Sequence, residues 1–127
     1  MNIITLFFEN PIAGLVVFLG IVMAIGVHEF AHAFAANKLG DPTPKLQGRL
    51  TLNPLAHLDL VGTLLIVLVG IGWGKPVEFN PGYLKNPRRD AAIVAFAGPL
   101  SNIIISLITL WILALVQSTP VLSAFSP

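Results

Sequence analysis

From Pro11 the chain runs I-A-G-L-V-V-F-L-G-I-V-M-A-I-G-V without a charged side chain, and then places His28-Glu29-Phe30-Ala31-His32 inside the same apolar stretch before it ends at Asn37-Lys38. A run of roughly 25 residues makes a helix of about 38 Å, enough to cross a bilayer. Ionisable groups are costly at that depth, so three of them together point to function.

Their spacing suggests which one. Residues four apart share a helix face, so His28 and His32 can aim two imidazole nitrogens at one metal ion, and neutral imidazole suits Zn2+. Glu29 lies one step round the helix, within reach of a water on that metal, where it would act as general base; this is the mechanics of H-E-x-x-H. The alternative is that each histidine is a satisfied core residue and Glu29 a neutral buried acid, which has to account for three costly residues separately.

Composition places the run in a class. Mean hydropathy is +0.85 and charged residues make up 10%. Three long apolar runs predict a polytopic, all-α membrane protein of one domain over residues 1–127, with about three transmembrane helices and short membrane-associated β-strands between them. A net charge of +1 offers no basic stripe for nucleic acid. Cysteine is absent, which excludes disulfides and thiolate zinc ligands. The N-terminus lacks a basic segment and carries Glu9, unlike a cleavable signal.

Residues 1–10 read as an interfacial segment, and the first transmembrane helix as Pro11–Asn37. Gly40, Pro42 and Pro44 break it. Alternation over Leu46–Leu52 predicts a short strand. Leu55–Gly74 has an uncharged part of only about 14 residues, short for a crossing, and reads as a tilted or partly re-entrant helix. A second strand or edge hairpin is expected in W-G-K-P-V-E-F-N-P-G-Y. Asp90 is positioned to cap a last helix, Ala91–Gln117, kinked at Pro99, and residues 118–127 read as a loop. If all three runs cross, Lys38, Lys45 and Arg49 lie on one side and Lys75, Lys85, Arg88 and Arg89 on the other, and this split does not orient the chain. In the last run Gly98, Pro99 and Ser101 suit helix packing. Asn102 is a candidate for a place beside the metal or the substrate.

H-E-F-A-H-A, G-D-P-T, G-R-L-T-L-N-P-L-A-H-L-D, G-W-G-K-P-V, N-P-R-R-D and A-G-P-L-S-N, in that order over roughly Gly26 to Ser106, resemble the site-2 protease family of intramembrane zinc metalloproteases, in its small bacterial and archaeal form. The resemblance implies a three-helix core in a prokaryotic cell membrane, with His28 and His32 as zinc ligands and Glu29 as catalytic base. Its substrates would be the transmembrane segments of other proteins. The family's third ligand is an aspartate in a P-x-x-D-G or similar motif after A-G-P-x-x-N, which this sequence lacks, so the core reads as C-terminally incomplete. His57, Asp59 and Asp90 are the available substitutes. His57 and Asp59 are read as interfacial polar residues or as partners of the ligating imidazoles. Two other classes remain: a non-catalytic pseudoprotease or fragment that binds partner helices, and a transporter using the buried His/Glu group as a proton relay.

Overall fold

The computed structural model describes residues 3–118. Helix α1 (Ile3–Glu9) turns at Asn10 into α2 (Pro11–Lys38). Asn10 caps α2 by accepting the Ala13 N–H at 3.1 Å, and Pro11 at the first position supplies a helical φ while giving up an N–H that would have had no partner. The expected interfacial segment is therefore a short helix folded back on α2. A Cβ on Gly14 would lie 2.7 Å from the Phe7 ring, so a glycine is what admits that ring.

Helix α2 stops at Leu39, followed by Gly40 with a left-handed φ of 108°. The first expected strand is absent. Thr43–Leu46 forms one helical turn, α3, and Gly48 then takes a φ of +70°. The alternation was misleading because burial runs against polarity: Leu46 is 81% exposed whereas Arg49 is 5% exposed. The guanidinium of Arg49 donates to the carbonyls of Ala56, Lys75 and Pro76. The second expected strand is also missing, since those carbonyls are satisfied by a side chain. Only an isolated bridge, Leu58 to Gly74, occurs among the described residues. Asp41, fully buried, ties the two loop stretches together by accepting the N–H of Thr43 at 2.9 Å and of Asn80 at 2.5 Å.

The third expected crossing is α4 (Leu60–Val69), 10 residues long. That is about 15 Å, half a bilayer. Asp59 caps its start, accepting the Gly62 N–H at 2.8 Å, and Gly70, with a φ of 88°, ends it. The chain then returns along the same helix: a Cβ on Gly72 would lie 2.6 Å from Ile66 Cγ1, and one on Gly62 would run into the Trp73 carbonyl. Glycines thus let a helix and its returning segment share one slot.

Helix α5 (Pro87–Ser118) begins earlier than the sequence suggests and contains Pro99. Asp90 caps it from within, accepting the Asn86 N–H at 3.0 Å, and also pairs with Arg89 at 2.9 Å. These contacts hold it at the start of the helix. Helices α2 and α5 are the two described helices long and apolar enough to cross a membrane. They run antiparallel, since His32 meets Val94 while His28 meets Asn102. The loop expected over residues 118–127 lies, apart from Ser118, outside the described residues.

Candidate metal centre

The facing stripes of α2 and α5 carry the site. His28 and His32 share one face, their rings 4.7 Å apart and nearly perpendicular at 82°. Their Nε2 atoms are 3.1 Å apart. His32 donates its Nδ1–H to the Val94 carbonyl at 2.6 Å. His28 Nδ1 lies 3.1 Å from the side-chain amide of Asn102. Both rings are thus held from behind, with their Nε2 atoms converging.

The donor set suits a zinc ion. Two tetrahedral ligands at about 2.05 Å stand about 3.3 Å apart, close to the observed separation. Helix α5 leaves room opposite them only because residue 98 is glycine: a Cβ there would lie 2.6 Å from His28 Nε2 and 2.6 Å from His32 Cε1.

Glu29 faces the loop layer. Its Oε2 accepts the Val77 N–H at 3.1 Å, which holds the carboxylate toward two clefts. One, of about 370 Å³, is lined by Ile21, Ile25, His28, Glu29, Trp73 and Asn102 among others. The other, of about 260 Å³, is lined by Glu29, His32, Pro76, Val77, Phe79 and Val94 among others. Glu29 is common to both, so an extended chain passing from one cleft to the other would run beside this carboxylate.

The remaining candidates are placed elsewhere. His57 is fully buried and donates its Nε2–H to the Thr51 carbonyl at 2.8 Å; it bonds to neither His28 nor His32. Asp59 is occupied as the cap of α4. Among the described residues no third His, Cys, Asp or Glu joins the two histidines. Asn102 is the sequence candidate that does reach the pair. Sequence reasoning missed Val94, whose backbone oxygen carries no residue signature, and took Gly98 for a packing residue. It also overlooked Arg49, whose burial within a loop has no period to reveal it.

An antiparallel pair of long apolar helices thus brings two converging imidazoles and a neighbouring carboxylate together. Residues 16–127 match peptidase family M50, and the chain belongs to that family. It is 44% identical over 108 residues to YwhC of Bacillus subtilis, named "Putative zinc metalloprotease", a match covering 84% of this chain and 49% of that protein. It is 36% identical over 102 residues to Rip2 of Mycolicibacterium smegmatis, named in the same terms, covering 76% and 39%. Rip2 of Mycobacterium tuberculosis is 34% identical over 97 residues, covering 72% and 37%. The chain thus spans about half the length of these relatives or less. No solved structure matches it.

Proposed function

We propose that this chain forms the His-Glu-His part of the active site of a zinc endopeptidase that cuts transmembrane proteins within a prokaryotic membrane. The observation that carries the reading is the convergence of His28 and His32 at 3.1 Å beside Glu29, on a helix long and apolar enough to span a bilayer. Zinc, when bound, supplies a Lewis acid that polarises a peptide carbonyl and acidifies water. His28 and His32 would hold it, with a third ligand from outside the described residues. Glu29 takes the proton of the attacking water and returns it to the departing amine. The Val77 N–H steadies the carboxylate during both transfers.

A membrane helix hides its amides in its own hydrogen bonds, so the substrate unwinds before it is cut. The extended stretch Pro76–Asn80 borders the cleft at Glu29 and would receive the unwound segment edge to edge. Phe79→Asp, which leaves the Val77 N–H to Glu29 in place, is expected to lower turnover severalfold while zinc content stays near that of the parent; parallel loss of both would refute a substrate-holding role.

The proposal itself is tested on the zinc-loaded enzyme with a transmembrane substrate. Glu29→Gln is expected to keep its zinc and lose cleavage by at least 100-fold, roughly the scale of general-base catalysis, whereas His32→Ala loses both. Residual proteolysis in the Glu29 variant removes the assigned role. The absence of a third ligand among the described residues favours a second reading, a non-catalytic partner of membrane helices. Zinc content of the purified 127-residue chain beside a His28→Ala control separates them: near one zinc, lost in the control, excludes this second reading for want of a site.

A further inference from the structure

Two nitrogens 3.1 Å apart repel if both present lone pairs, so the His28–His32 pair holds either a proton or a cation between its Nε2 atoms. His32 gives its Nδ1–H to Val94, which makes its Nε2 a lone pair when the ring is neutral. In the proton-held pair, His28 donates its Nε2–H to that lone pair. His28 Nδ1 is then an acceptor and takes a hydrogen from the Asn102 NH2, at 3.1 Å. Asn102 Oδ1 is left buried without a partner.

Holding a cation reverses the requirement. His28 must offer its Nε2 lone pair, its proton moves to Nδ1, and that N–H needs an acceptor. Asn102 is the side chain that the structure brings to His28 Nδ1, and its idle oxygen is the acceptor required. Exchanging the amide oxygen and nitrogen leaves the heavy-atom positions essentially unchanged, so the switch needs no movement of α5.

We propose that Asn102 is a positioning residue that selects the tautomer of His28, presenting its NH2 to Nδ1 when the histidines share a proton and its Oδ1 to the Nδ1–H when they share a cation. This rests on the zinc reading above and makes zinc affinity depend on a residue 74 positions from the ligand it serves.

The test follows the ring protons of His28 by 15N NMR in detergent micelles, in alkaline buffer where the ring is neutral, for the parent chain, Asn102→Asp and Asn102→Leu. Without zinc the parent should carry the proton on Nε2. The Asp variant, with acceptors only, should carry it on Nδ1 even before zinc is added. Competition with a chelator should show zinc affinity kept in the Asp variant and reduced 10- to 100-fold in the Leu variant. The same protonated nitrogen in all three proteins, or parental zinc affinity in the Leu variant, overturns the proposal. If the parent takes up no zinc but the tautomer still follows residue 102, the zinc reading fails and the assignment of Asn102 stands.

Discussion

Gly98 shows how much can depend on an atom that is missing. A single methyl group on it would sit against both Nε2 atoms, so Gly98→Ala should abolish zinc uptake while helical circular dichroism stays at the parental level. Gly20→Ala is the matched control: it lies in α2 with open space around it and should bind zinc normally. Equal zinc content in the two variants would show that residue 98 does not set the size of the site. The convergence of His28 and His32 was legible in the sequence because four residues along a helix fix a common face. The half of the centre on α5 was not. The roles of Val94, Gly98 and Asn102 follow from the register of α5 against α2, across separations of 62 to 74 residues, which no local pattern encodes.

Among the elements, the two long helices and the break between them were legible from apolar length and from Gly and Pro. The connecting loops were not, because a strand prediction assumes that backbone groups pair with backbone groups. Here Arg49 replaces the neighbouring strand. Its guanidinium binds the carbonyls of Lys75 and Pro76, and the next residue, Val77, donates to Glu29. Arg49→Met keeps the bulk and leaves three carbonyls without that donor, at about 1–3 kcal/mol for each one left buried and unsatisfied. Melting should fall by several degrees, and exchange of the Val77 amide should accelerate far more than that of the α2 amides. Unchanged exchange at Val77 would mean that Arg49 braces the loop without positioning the partner of Glu29.

At the scale of the whole molecule, the short α4 changes the charge count. Because α4 is too short to span a bilayer and the chain returns along it, all seven lysines and arginines fall between the end of α2 and the start of α5, on one side of the helix pair. The division of three against four expected from three crossings does not arise. Under the positive-inside rule that side is expected to face the cytoplasm. The chain has no cysteine, so single cysteines can be introduced without other changes. Cysteines at Lys38 and Lys85 should resist a membrane-impermeant thiol reagent in intact cells, and one at Asn10 should react; the reverse pattern would invert the orientation. The apolar outer surface of α5 agrees with this placement: none of its most apolar 18-residue window is buried, more apolar exposure than an aqueous surface tolerates.

Glu29 lies nine residues before Lys38 in one unbroken helix, about 14 Å along its axis. That fixed offset makes α2 a ruler. The bond cut in a substrate would be set by its distance from the membrane surface as much as by its side chains, so moving a substrate's helix-breaking residues up or down by a turn should move the cut little, while shifting its boundary with the cytoplasm should move the cut along with it.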